Sequence, residues 1–307
     1  MWWKGRYVDR EVPNQEIAAL FDLTAAVAEK ELNEAGVFEA AAEFPSAVYR
    51  TLGESGLLAL PYSAEYGGAD LASEYSLQVL EELAYNWLAV GIGVSVHNLA
   101  CFPMAMFASP EQQSRFLPEM LGGSTIGSYC LSEATSGSDA AALTTSATET
   151  ADGYRVNGSK AWITHGPVAD FAAVMVRTGG KGPKGITCLH VEAGTPGLAA
   201  DPPERKMGAN SSPTATLRFT DVAVPRNQRI GDEGQGFAIA LAALDSGRLG
   251  IAACAVGLAQ AALDAAVDYA QQRKQFDQAI IDFQGVSFTL ADMAAQVFAA
   301  RSAYVHA

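Results

Sequence analysis

The sequence predicts an α+β multidomain protein with an N-terminal α-helical domain, a middle antiparallel β domain of barrel or sandwich type, and an incomplete C-terminal helical bundle. Three observations carry this. Helical periodicity runs to about Thr125, short β-rich runs with turn signals between them fill the next hundred residues, and Ala-rich helical sequence follows "IGDEGQGF". The boundaries this implies are 1–125, 126–233 and 234–307, and 307 residues is a length that suits two or three cores better than one.

In the first zone, "EIAALFDLTAAVAEKEL" places Ile17, Leu20, Phe21, Val27 and Leu32 close to one helical stripe. A second helix carries Val79, Leu80, Leu83 and Trp87 opposite the acids Glu81 and Glu82. "SPEQQSRFLPEML" opens with Ser109 as N-cap, Pro110 at the first helical position and Gln112 at the third, the signature of a capping box. Trp87 to Ala108 holds no charge and is long enough to span a bilayer, but Gly91, Gly93, His97, Asn98 and Pro103 interrupt it. A buried helix plus a turn, not a membrane span, is expected there.

In the second zone, "YRVNGSKAWITHG", "FAAVMVRTGG", "GITCLHVEAG" and "TATLRFTDVAVP" read as strands, and Asp152-Gly153 and Asn157-Gly158 as hairpin turns. No helical pattern separates them, which excludes a doubly wound sheet. The third zone predicts helices from about Phe237 to Gln272 and from Gln284 onward, and it stops at "RSAYVHA" still in helical pattern with no C-cap glycine.

A net charge of −14 argues against a protein that works by neutralising nucleic-acid phosphates. Four scattered cysteines without a C-x-x-C pair suit reduced thiols in the cytoplasm, and four dispersed histidines give no metal-ligand spacing, so no metal is expected. "MWWKGRYVDREV" mixes charges of both signs with no apolar core after it, unlike a signal peptide. There is no G-x-x-x-x-G-K-[ST] loop, no dinucleotide fingerprint and no G-x-S-x-G elbow.

One stretch resists a purely structural reading. "YCLSEATSGSD" starts as a strand and dissolves into small hydroxyl residues. Ser132, Thr135, Ser136, Gly137 and Ser138 present hydroxyls and close-approach amides that suit a pyrophosphate, although a solvated turn is the commoner reason for such a run. "KAWITHG" adds Trp162 as a stacking surface and Thr164 as a hydrogen-bonding group for a flat π-system, although a lone Trp is more often a core residue.

Taken together, these motifs resemble the acyl-CoA dehydrogenase family across essentially the whole chain. "LGESGLLALPYSAEYGGADL", "SPEQQSRFLPEMLGG", "CLSEATSGSD", "KAWITHG", "KMGANSSPTATLRFTDVAVP" and "ALDSGRLGIAACAVGLAQAALDAAVDYAQQRKQFDQAI" follow the family's order. The resemblance implies FAD on the middle domain, held by Tyr129, Cys130, Leu131, Ser132, Gly137 and Ser138, and by Trp162, Ile163 and Thr164. It implies acyl-CoA contacts from Ser138, Asp245 and Arg248. Arg273, Phe276 and Gln284 would reach the FAD of a neighbouring subunit in a homodimer or homotetramer. The implied reaction, part of fatty acid metabolism, removes two hydrogens from an acyl-CoA to leave a trans-2-enoyl-CoA, with an electron-transfer flavoprotein as the implied acceptor.

The catalytic residue stays unassigned. Most of the family places its Glu beyond the equivalent of Ala307, and a minority places it where this chain has Gly247. Asp245 lies about 200° around the helix from Gly247 and is expected to face away. The resemblance therefore implies either a dehydrogenase lacking its last helices or a short homologue that binds flavin or acyl-CoA, or packs as a structural subunit, without turnover.

Overall fold

The computed structural model describes Arg10 and residues 12–307. Most of "MWWKGRYVDREV", and the expectation attached to it, lies outside the described residues. The chain forms two compact units, Glu34–Leu71 with Ile92–Arg248, and Met1–Asn33 with Ala72–Gly91 and Leu249–Ala307.

The first unit carries the sheet. Its helices are α2 (Ala35–Ala41), α3 (Ser46–Glu54), most of α5 (Leu88–Phe107), α6 (Pro110–Leu121) and the opening turns of α7 (Gly236–Gln272), with α1 (Gln15–Glu31) and α4 (Ser73–Asn86) belonging to the second unit. The capping box of α6 is formed as its sequence requires, with Ser109 Oγ accepting from Gln112 N and Gln112 Oε1 accepting from Ser109 N at 2.9 Å. The same Gln112 amide donates to the carbonyls of Asn227 and Arg229, so the cap also ties α6 to the sheet. The stretch read as a helix plus a turn is one continuous helix: Pro103 sits inside α5, fully packed beside Cys101 and Met104, where burial outweighs the residue's poor helix propensity. By length and composition α5 and α7 both meet the requirement for a membrane span, with 61% and 39% of those stretches buried within the protein.

The strands are β1 (Gly127–Cys130), β2 (Ser146–Glu149), β3 (Gly153–Thr164), β4 (Phe171–Arg177), β5 (Ile186–Glu192), β6 (Leu198–Ala200), β7 (Thr214–Pro225) and β8 (Arg229–Ile230). They form one sheet in the order β6-β7-β3-β2-β4-β5-β8, with β1 on β4. It is not purely antiparallel. β1 runs parallel to β4 from Gly127↔Phe171 to Cys130↔Val174, and β2 meets β4 in parallel at Ser146↔Arg177. β1 enters from α6 and not from a hairpin, so no turn obliges it to reverse against its neighbour. Alternation along β3 to β5 buries Tyr154, Val156, Val174, Val176 and Leu189 in one core, while Tyr129, Leu131, Met175 and Cys188 face a second core shared with α5, α6 and α7.

Asp152-Gly153 does close the β2–β3 turn, with Thr150 N donating to Gly153 O. Asn157-Gly158 does not form a hairpin. It lies inside β3 at a register shift against β7, where Asn157 Oδ1 accepts from Asp221 N and Gly158 takes φ +143°, because a Cβ there would meet Thr145 at 2.7 Å.

The second unit is helical: α1 (Gln15–Glu31), α4 (Ser73–Asn86), the remainder of α7, a short hairpin of β9 (Lys274–Gln275) and β10 (Gln278–Ala279), and α8 (Gln284–Val305). On α1 Ile17, Thr24 and Ala28 are buried, with Leu32 just beyond its end. Glu81 and Glu82 are not on a solvated face. Glu81 is buried, accepting Arg301 Nη2 at 2.7 Å and the Tyr304 hydroxyl, and Glu82 is buried beside Arg10 at 2.5 Å. Periodicity could not reveal this, because the partners come from α8 and from Arg10, far away in sequence.

Candidate flavin site

The site begins where β1 ends. Beyond Cys130 the chain leaves β4, and residues 133–136 close a tight turn through Glu133 N to Ser136 O at 2.9 Å and Ser136 N to Glu133 O at 3.1 Å. Its base is anchored from below by a charge pair. Lys160, fully buried on β3, donates to Glu133 Oε1 and to the Leu131 carbonyl, both at 2.9 Å. Thr145 N completes Oε1 at 2.9 Å, and Thr144 gives Oε2 its N–H and its hydroxyl, both at 2.7 Å. Ala161 N donates to Ser132 O at 2.9 Å. Burial works to raise the Glu133 carboxyl, but the Lys160 ammonium and the Thr144 and Thr145 donors outweigh it and hold the carboxyl at about 2, so it stays ionised and saturated with donors. Burial lowers Lys160 despite that partner.

A loop anchored in this way presents its other face outward. Ala134, Thr135, Gly137 and Ser138 are exposed, and the hydroxyls of Thr135 and Ser138 and the Gly137 amide make no hydrogen bond among the described residues. Gly137 has an ordinary negative φ, and a Cβ there would meet nothing within 4 Å. Neither the fold nor the backbone demands a glycine there, and the loop is open at that point to close approach from outside.

β3 supplies a second surface. A register shift against β7 falls between Lys160 and Ile163, and within it Trp162 takes φ +58°. That is a strained conformation for a bulky residue. The bulge turns Trp162 outward, 59% exposed, while Ala161 and Ile163 on either side are buried. The alternative of a core aromatic is therefore set aside. Thr164, half-buried, closes the ladder opposite Thr214.

The sequence-derived residues thus divide. Lys160 and Ala161 tie Leu131 and Ser132 to β3 immediately before Trp162, Ile163 and Thr164, and Gly137 and Ser138 lie further along the same loop. Tyr129, Cys130, Leu131 and Ile163 have buried side chains, which leaves them only backbone groups to offer a ligand; Cys130 is pushed up to about 12 by burial and is inert. Asp245 and Arg248 are exposed on α7 and paired with each other at 2.5 Å, whereas a Cβ on Gly247 would meet Leu99 at 3.2 Å. Asp245 therefore points away from the side Gly247 faces.

Arg273, Phe276 and Gln284 belong to the other unit. Arg273 is exposed, without a hydrogen bond from its guanidinium among the described residues. Phe276 and Asp277 form the two-residue tip of the β9–β10 hairpin at φ +52° and +61°, with Phe276 89% exposed and edge-on to Phe283. Gln284 opens α8, exposed. The Lys160–Glu133 pair was missed in the sequence, where only one signal pointed to it: a lysine at an inward position of a strand pattern.

The N-terminal, middle and C-terminal domains of acyl-CoA dehydrogenases match residues 14–124, 128–222 and 234–307. The chain belongs to the acyl-CoA dehydrogenase family. Among its acyl-CoA dehydrogenase relatives, the mitochondrial isobutyryl-CoA dehydrogenase of Bos taurus is 43% identical over 258 residues, 84% of this chain and 62% of that protein. The chain thus spans less than two thirds of that relative. The butyryl-CoA dehydrogenase of Megasphaera elsdenii superposes with a TM-score of 0.92 at 36% identity, over 97% of this chain and 79% of that one. The FAD complex of PigA does so with a TM-score of 0.91 at 26% identity, over the same shares.

Proposed function

We propose that this acyl-CoA dehydrogenase family chain binds FAD on the loop of residues 131–138 and the β3 bulge, and serves in dehydrogenation of an acyl-CoA thioester to a trans-2-enoyl-CoA. The observation that carries the reading is Trp162, exposed and held at positive φ one residue from the bond that joins β3 to Ser132. The FAD complex of PigA and the likeness to isobutyryl- and butyryl-CoA dehydrogenases support the cofactor and the substrate class.

FAD, when bound, supplies the acceptor for the substrate's β-hydride. The chain supplies position. Trp162 offers a stacking face, Thr164 and Ser132 offer hydroxyls to the ring, and Gly137, Ser138 and Thr135 offer donors to the pyrophosphate. Arg248 offers a guanidinium to a CoA phosphate once its exposed pair with Asp245 opens, a contact that is weak in water. Arg273, Phe276 and Gln284 serve the flavin of a second copy, in a dimer or tetramer, and an electron-transfer flavoprotein takes the electrons onward.

No carboxylate of this chain is assigned as the base. Glu133 is saturated by Lys160, Thr144 and Thr145, Asp245 points away from the side Gly247 faces, and Gly247 has no side chain. A second reading is that this chain holds flavin or acyl-CoA without turning it over. One spectrum addresses both. The purified chain, mixed with FAD and passed over a desalting column, is expected to keep the visible flavin bands. A folded but colourless protein overturns the proposal. If the bands persist but do not bleach when butyryl-CoA is added without oxygen, the second reading holds.

A further inference from the structure

We propose that His97 and His165 are positioning residues, a neutral two-histidine clamp on the peptide of Gly127 that sets where β1 enters the flavin site; the inference rests on the flavin reading. Gly127 is the first residue of β1, two before Tyr129. Its N–H donates to His97 Nδ1 at 3.0 Å, and its carbonyl lies 3.2 Å from His165 Nδ1. Both rings are fully buried, one from α5 and one immediately beyond Thr164 at the end of β3.

Donor logic fixes both tautomers. An amide N–H only donates, so His97 Nδ1 carries a lone pair and its proton sits on Nε2, which faces the Met120 carbonyl at 2.9 Å. A carbonyl only accepts, so His165 Nδ1 carries the proton and its Nε2 is bare. That Nε2 is buried without a hydrogen-bond partner, with the Phe44 and Tyr49 rings packed against the imidazole. A charged His97 would turn a donor toward the Gly127 N–H.

Two glycines make the clamp fit. A Cβ on Gly127 would lie 2.4 Å from the Phe171 ring, and one on Gly93 of α5 would lie 1.7 Å from the Tyr49 hydroxyl and 2.9 Å from His165 Nε2. Among the described residues β1 is paired as a strand only with β4, whereas Thr164 belongs to the β3–β7 ladder. His165 therefore bridges the two strands that carry the two halves of the site. It is also held at φ +63°, with its own N–H bonded to Pro213 O at 2.8 Å.

Selective 15N labelling of histidine in the flavin-free chain at neutral pH reads the clamp directly. His97 is expected as the Nε2–H tautomer and His165 as the Nδ1–H tautomer; the reverse assignment, or a charged ring, overturns the proposal. FAD titration then tests the positioning role. His165→Asn keeps a donor the same number of bonds from Cα and tolerates positive φ, whereas His165→Gly tolerates the backbone and lacks the donor. Asn is expected to bind FAD within about threefold of the parent and Gly about tenfold or more weaker. Equal binding by Asn and Gly overturns the positioning role even if the tautomers are as stated. If the parent chain itself does not bind FAD, the flavin reading fails while the tautomer measurement still decides the clamp.

Discussion

The 131–138 loop and the β9–β10 hairpin both present residues suggestive of flavin contact, but they are held in opposite ways. The loop stands on a buried ion pair, four further hydrogen bonds to Glu133 and Leu131, and a backbone bond from Ala161, all within its own unit. The hairpin consists of two two-residue strands, with a bulky exposed residue at its tip in left-handed backbone. Within its own unit the hairpin is held by its short ladder, the bond from Ile280 N to Arg273 O at 2.9 Å and the Phe276–Phe283 contact, with no buried ion pair beneath it among the described residues. The proposed role of the hairpin at a second copy therefore rests on its exposed tip and not on a preorganised loop.

The largest test breaks the support of the loop. Lys160→Met leaves Glu133 charged, buried and short of a partner, and is expected to cost about 3–5 kcal/mol, read by urea denaturation. Adding Glu133→Leu to it is expected to recover a large part of that loss, since removing both charges is far cheaper than stranding one. A single mutant as stable as the parent would mean that the pair does not anchor the loop.

Acid separates the two units next. His97, His165 and His190 all lie in the sheet-bearing unit, and burial holds each at about 4, below the ordinary value of 6.5. Between those values the unfolded chain binds protons that the native chain refuses, so stability falls as pH drops from 6.5 to about 4 and the histidine loss is complete below that. Glu133, held at about 2 against an ordinary 4.5, adds a further loss as pH falls from 4.5 toward 2. With three histidines the slope reaches about 4 kcal/mol per pH unit at its steepest. The remaining histidine, His306, is exposed in the other unit. Hydrogen exchange at pH 5 is therefore expected to show β4 and β5 losing protection before α8. Equal loss in both would remove the histidines as the cause.

What the sequence revealed and what it hid follow the same division. The capping box at Ser109, the strand runs and the hydroxyl-rich loop are local patterns, and each formed where its spacing placed it. The buried state of Glu81 depends on Arg301, more than two hundred residues away, and that of Glu133 on a lysine in another strand. No periodicity reports such a partner. Asn157-Gly158 misled for the converse reason: the dipeptide suits a turn locally, but pairing with β7 continues past it and makes it a bulge. Trp162 was legible as an aromatic, and its exposure was not, because the bulge that turns it outward is a property of two strands together.

The smallest expected effect is the most discriminating for the hairpin. A two-residue turn with both φ values positive prefers Asn-Gly, and here it holds Phe276 and Asp277. The double substitution Phe276→Asn, Asp277→Gly removes that strain and is expected to raise stability by about 1 kcal/mol in thermal denaturation. If the strained Phe is kept because it reaches a second copy, the same variant is expected to self-associate more weakly in sedimentation. The loop of residues 131–138 is untouched by the change, so any flavin it holds unaided stays. A variant that is more stable and associates just as tightly would leave the Phe276 tip without a role at a subunit contact. A variant that is less stable would mean that the Phe276–Phe283 contact outweighs the turn strain.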